Sequence, residues 1–191
     1  YPDVYFKTED ELRLFTNQFY NNLVPSAVDI YSESSDLIVK SDLMLEMSGQ
    51  RIIPDEGNGW NFTALRDINF YLQYSHNCTE VNARNRYDGV ARFFRAYFYF
   101  EKVKRYGDIP WYDKALDSDD PELYKARDSR EFVMQKMLED LDFAIANLPK
   151  TKNAYVLTRW TALALKSRVC LFEGTFRKYH GLEDCEKYLN A

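Results

Sequence analysis

The chain has 191 residues, 46% hydrophobic and 16% aromatic, with seven glycines and six prolines; that suits a packed globular core and excludes a disordered chain. Its formal charge of −5 argues against a nucleic-acid partner, whose phosphates call for a basic face. No run of 18 residues lacks a charge, so no segment reads as a bilayer-spanning helix.

The chain opens on Tyr1-Pro2 with no secretory leader pattern, which implies a start lost upstream. The first helix is expected from Thr8, where Glu11 completes a capping box. Leu12, Phe15, Phe19 and Leu23 then recur at helical spacing, and Pro25 ends the run. Residues 29–36 mix serines with acids and read as a polar surface segment, whereas RIIPDEGNG (51–59) reads as a loop. A second helix is expected near Trp60, carrying Leu65, Ile68 and Leu72 inward. Weak strand signals are confined to residues 26–56 and 109–112.

The stretch GVARFFRAYFYFEKVKRYGDIPW (89–111) packs seven aromatics between Phe93 and Tyr106. Its apolar residues cover more than half the circumference of a helix, so the helix is expected to be sandwiched between neighbours. Arg92, Arg95, Tyr99, Lys102 and Tyr106 follow in steps of three and four and mark one thin wet edge. Along that edge, acids of a later helix are the expected partners of Arg92, Arg95 and Tyr99, with Glu139, Asp140 and Asp142 as candidates. Gly107 supplies the C-cap and Pro110 prevents a restart.

A further helix is expected over Asp128–Leu148, capped by Asp128 and stopped by Pro149, with Met134, Leu138, Leu141, Ile145 and Leu148 inward. Another is expected over Thr158–Glu173, ended by Gly174, and a last one opens near Leu182. WTALALKS within the Thr158–Glu173 helix gives Trp160-x2-Leu163-Ala164-x2-Ser167, close to the first-helix pattern of a tetratricopeptide repeat. In that pattern Ala164 admits a partner helix while Trp160 and Leu163 fill the gap. The fold class is therefore mostly α, with degenerate tetratricopeptide-like helical hairpins and irregular loops.

No phosphate-cradling loop, nucleophile elbow or zinc-protease helix is present in the sequence. His76 and His180 lie near Cys78 and Cys185, but at spacings unlike a closed zinc site. The three cysteines, Cys78, Cys170 and Cys185, form no even framework and are expected as free, partly buried thiols. Asp117, Asp119 and Asp120 lack the glycine and closing glutamate of a calcium loop. The expectation is a non-enzyme without cofactor or metal. Flat rings beside amide or guanidinium groups make a candidate ligand-binding surface. RIIPDEGNGWN offers Arg51, Asn58, Trp60 and Asn61 together, against the competing role of Trp60 as packing at a helix start.

ARFFRAYFYFEKVKRYGDIPW resembles the signature helix of SusD/RagB-like proteins, at Ala91, Arg92, Phe93, Arg95, Ala96, Tyr99 and Phe100, then Tyr106 to Asp108 and Pro110. WNFTALRDINFYL, RDSREFVMQKMLEDLDFAIANLP and LTRWTALALKSRVCLFEGTF are similar to further motifs of that family, in the family's order. The resemblance implies stacked tetratricopeptide-like hairpins and places residues 1–191 as the N-terminal helical domain of a longer chain, without its C-terminal half. It also implies a surface lipoprotein of the bacterial outer membrane, whose lipid-bearing cysteine lies upstream of this sequence. Such a protein captures oligosaccharides, or peptides, for a SusC-like TonB-dependent transporter. Two other classes stand beside it: a helical-repeat scaffold for a protein or peptide partner, and an α-helical glycan-active enzyme.

Overall fold

The aromatic helix runs without a break from Val81 to Tyr106, and the rest of the molecule is arranged around it. The computed structural model describes residues 4–25, 48–50, 52 and 59–190. The polar segment expected at 29–36, nearly all of the 26–56 strand signal, and Arg51 and Asn58 lie outside the described residues. In chain order the α-helices are α1 (Glu9–Leu23), α2 (Thr63–Tyr74), α3 (Val81–Tyr106), α4 (Arg130–Asn147), α5 (Arg159–Tyr179) and α6 (Cys185–Leu189). Among the described residues there is no strand. The 109–112 signal survives as one antiparallel bridge between Ile109 and Asp128.

Local chemistry sets most of the boundaries. Thr8 caps α1 by accepting the Glu11 N–H, but the Glu11 carboxylate accepts from Lys7 N–H at 2.6 Å, so the box closes one residue early. Ahead of it Phe6 adopts a left-handed backbone (φ 64°) and buries its ring edge-on against Phe15 and Tyr71. Helix α3 ends at Gly107 in the left-handed region (φ 71°), and Pro110 follows. Helix α4 is capped by Ser129, whose hydroxyl accepts the Phe132 N–H, and not by Asp128. Asp128 is drawn away to the Trp111 N–H at 2.7 Å and to Lys125 at 2.9 Å.

Packing makes α3 the hub, with α4 on one side and α1 and α2 on others, while α5 lies on α4 and α6 on α5. Phe94, Phe98, Phe100 and Val103 of α3 meet Leu12 and Phe19 of α1, Leu65, Ile68 and Tyr71 of α2, and Met134, Met137 and Leu141 of α4 in one core. The ring pairs are mostly edge-to-face, such as Phe19–Phe94 at 6.1 Å and Phe100–Phe172 at 5.5 Å. Cys78 and Cys170 are buried and Cys185 is half-buried, all three as free thiols.

Three expectations are corrected by this packing. The expected wet edge of α3 is dry at its centre, where Arg95 is 7% exposed and Tyr99 is fully buried. Gly174 does not end α5, which runs to Tyr179 and turns at Gly181 (φ 64°), with Leu182 N–H closing onto the Arg177 carbonyl. Gly174 is instead the point of closest approach to α6: a Cβ there would lie 2.6 Å from Leu189 Cδ2. Nor do Trp160 and Leu163 fill a gap, since α5 turns Ala162, Leu165, Val169 and Cys170 inward and leaves Trp160 53% exposed. The Trp160 indole N–H is tied to the Lys150 carbonyl at 2.9 Å.

Candidate functional site

Two buried polar groups on the hub, Arg95 and Tyr99, hold in place the segment that walls a ring-lined hollow. Arg95 makes a two-toothed ion pair with Asp140 of α4, Nε to Oδ2 at 2.6 Å and Nη2 to Oδ1 at 2.7 Å. Its remaining terminal nitrogen donates to Asn69 Oδ1 at 3.2 Å. Arg92 reaches the same carboxylate at 3.7 Å and lies over the Phe143 ring. Asp140 is therefore the partner expected for both arginines. Tyr99 pairs with no acid: its hydroxyl donates to the Pro110 carbonyl at 3.2 Å and accepts the Tyr112 N–H at 2.6 Å. Burial pushes the Tyr99 phenol well above its ordinary pKa, so it stays protonated for both bonds.

These groups pin the segment after α3 across the face of α2. Asn69 Nδ2 donates to the carbonyls of Tyr112 (2.8 Å) and Lys114 (3.2 Å), and Arg66 Nε donates to Leu116 O (3.3 Å). Trp111 stacks on Tyr99 with centroids 4.2 Å apart. The segment folds back through a short 3-10 turn, Pro121–Tyr124, and Lys125 Nζ ties the return to Trp111 O at 2.7 Å. Between the fold-back and α2 lies a hollow of about 700 Å³. Its wall includes the rings of Trp60, Phe62 and Tyr112 and the bases Arg66, Lys114, Lys125 and Arg127.

Trp60 stands at the rim of that hollow, 41% exposed. It meets Phe62 and Tyr106 edge-on at 5.3 and 4.9 Å, and the Arg127 guanidinium lies 4.9 Å from its ring centroid. The turn before it is held by Lys102 Nζ, which donates to the Gly59 carbonyl. Burial, then the neighbouring Arg105 charge, lowers the Lys102 pKa. Gly59 sits at φ 80°, a backbone conformation that favours glycine, and a Cβ there would also press on Arg105 Nη1 at 3.1 Å. Asn61 is exposed beside the rim, and its Oδ1 accepts the Thr63 N–H at 2.8 Å, closing the first turn of α2. Of the four binding residues expected from sequence, Trp60 lines the hollow, Asn61 flanks it, and Arg51 and Asn58 lie outside the described residues.

Residues 17–159 match the SusD-like family described as "Starch-binding associating with outer membrane", three quarters of the chain. The chain belongs to the SusD-like family. It is 29% identical over 87 residues to the SusD-like protein P38 of Formosa agariphila, a match that covers 46% of this chain and 17% of that one. A SusD-like protein of Bacteroides fragilis is similar in structure, with a TM-score of 0.64 at 25% identity, over 91% of this chain and 36% of that one. A SusD-like carbohydrate binding protein of Bacteroides vulgatus gives a TM-score of 0.66 at 16% identity, over 96% of this chain and 45% of that one. The chain spans less than half the length of each of these relatives.

The SusD-like motif residues can now be read as scaffold. Leu65 and Ile68 fill the core, Arg66 and Asn69 fasten the segment that walls the hollow, and Arg95 locks α3 to α4. Asp108 accepts the Arg130 N–H at 2.8 Å and so satisfies a donor of the first turn of α4. The bases Lys114, Lys125 and Arg127 were not foreseen, because no periodicity reaches the irregular segment that carries them. Arg66 had a visible signal, its place in the Leu-Arg-x-Ile-Asn motif. Among the described residues no group of three or more His, Cys, Asp or Glu is placed to hold a metal ion, and no helix is long and apolar enough to cross a membrane.

Proposed function

We propose that this SusD-like chain serves in the non-catalytic capture of oligosaccharides at the bacterial outer-membrane surface, and that the hollow beside Trp60 is where the saccharide touches it. One observation carries the reading: a half-exposed indole stands at the mouth of a hollow walled by further rings and by guanidinium groups, in a family described as starch-binding. Apolar sugar faces lie on rings, while hydroxyls take hydrogen bonds from the surrounding donors. Delivery to a TonB-dependent transporter and attachment through an N-terminal lipid belong to the same proposal, as does a peptide nutrient in place of a glycan. Cell fractionation tests the location: native protein in the cytosolic fraction without lipid would rule it out.

Calorimetric titration of full-length protein with an oligosaccharide panel tests the binding role. Trp60→Ala should weaken binding by roughly 1–3 kcal/mol, the scale of one large side-chain contact. Affinity unchanged within error would place the saccharide elsewhere.

A helical-repeat scaffold is the second reading, favoured by the outer face of α5. There Trp160, Leu163 and Leu171 are all exposed. Retained saccharide binding in Trp160→Glu, with loss of a co-purifying protein, would favour it.

A further inference from the structure

The hollow beside Trp60 differs from the rest of the molecule in charge. The chain carries 30 acidic and 25 basic residues, yet the described residues that wall the hollow include four bases and no carboxylate. Two of the bases are neutralised from behind. Lys114 pairs with Glu122 at 3.1 Å and Asp120 at 3.6 Å, and Lys125 pairs with Asp128 at 2.9 Å. None of those three acids lines the hollow. The other two, Arg66 and Arg127, form no ion pair among the described residues, although Asp67 follows Arg66 directly along α2. Arg66 commits only its Nε, to the Leu116 carbonyl.

Arg127 adds a constraint on the ligand. Its guanidinium occupies a position 4.9 Å from the Trp60 ring centroid, attracted to the indole face. A neutral sugar stacking on that face must displace the cation and receives only hydrogen bonds to neutral hydroxyls from it. A ligand that brings its own anion to the ring's edge lets the guanidinium stay and use its paired N–H groups. The planar fork of arginine matches the two oxygens of a carboxylate or a sulfate ester, which a neutral hydroxyl cannot offer. Arg66 and Arg127 have no carboxylate partner among the described residues, unlike Arg95, Arg130 and Arg177, and their remaining N–H groups are open to a ligand.

We propose that the hollow takes an acidic saccharide, carrying uronate carboxylates or sulfate esters, with Arg127 and Arg66 receiving the anionic group beside the Trp60 ring. This rests on the saccharide-capture reading and names its substrate class. The experiment is calorimetric titration of full-length protein with three probes: an oligogalacturonate, a sulfated galactan oligosaccharide, and neutral maltohexaose. At least one acidic probe should bind tenfold or more tighter than maltohexaose, and its affinity should fall as sodium chloride rises from 50 to 300 mM. Whichever acidic probe binds separates carboxylate from sulfate as the source of the charge. Arg127→Gln, at an exposed position, should lower that affinity about tenfold without moving the melting temperature, and Arg66→Gln with Arg127→Gln should lower it further. Equal or tighter binding of maltohexaose, abolished by Trp60→Ala, overturns the acidic assignment and leaves saccharide capture standing. Acidic binding untouched by the arginine substitutions also overturns it. No binding by any of the three probes sinks this proposal and saccharide capture at this hollow together.

Discussion

Arg95 and Arg127 are the same residue type within one small molecule, and they are treated in opposite ways. Arg95 lies buried between α3 and α4, with both oxygens of Asp140 and the Asn69 amide meeting its donors. Arg127 lies exposed on a fold-back with an indole face for company and no carboxylate among the described residues. The difference follows from solvent. A guanidinium removed from water must have its charge and its donors matched inside the protein, whereas one at a rim keeps water as a partner that a ligand can replace. Polar matching in the core therefore marks structure, and its absence at the rim marks a place for something else. The two regions are joined, since Asn69 bonds Arg95 on one side and the wall of the hollow on the other.

The harshest way to break the buried half is Arg95→Ala, which strands the Asp140 carboxylate where it is 3% exposed. Arg92 remains at 3.7 Å as a more distant partner, so a loss of about 2–4 kcal/mol is expected, below that of a fully unpaired buried charge. Thermal melting should show it, with saccharide affinity of the folded fraction retained. Unchanged melting accompanied by lost binding would reverse the assignment and make Arg95 a ligand residue.

Tyr99→Phe acts at the join. It removes the acceptor of the Tyr112 N–H and the donor to Pro110 O, both buried, at a cost of about 1–3 kcal/mol. Denaturant unfolding gives the cost, and faster hydrogen exchange at the Tyr112 amide locates it. If exchange there is unaltered, the hydroxyl does not hold the wall.

The smallest effect comes from a carboxylate intermediate between the two regimes. Asp88 on α3 sits beside the Tyr71 and Ser75 hydroxyls, half-buried, and burial raises its pKa against the opposing pull of those hydroxyls and of Arg92 and Arg84. The folded chain thus holds this proton more tightly than the unfolded chain does. Its favourable contribution is complete below the ordinary aspartate value of about 3.9 and is lost as pH rises through the raised one. Asp88→Asn, which carries no charge at any pH, should gain in melting temperature relative to the parent between acid and neutral pH. A difference that stays flat across that range would show that Asp88 titrates normally.

Much of this was written in the sequence because it depends on neighbours along the chain. The spacing of Leu12, Phe15 and Phe19, the cap at Thr8, the stop at Gly107 and Pro110, and the wide apolar girth of α3 are local facts, and the helices follow from them. The acids of α4 could be named as candidate partners of Arg92 and Arg95, as Glu139, Asp140 and Asp142, but only the packing selected Asp140 among the three. Tertiary structure decided the rest wherever two local solutions were equally good. Ser129 caps α4 because Asp128 is claimed by the Trp111 N–H across the fold-back. Gly174 reads as a helix stop until Leu189 is seen against it, and Trp160 reads as filler until α5 turns its other face inward. Only folding could gather Trp60, Arg66 and Arg127 around one hollow. Their proximity depends on an irregular segment pinned by Tyr99 and by Asn69, and pins that reach across irregular chain, more than forty positions in the case of Asn69, leave no period in a sequence.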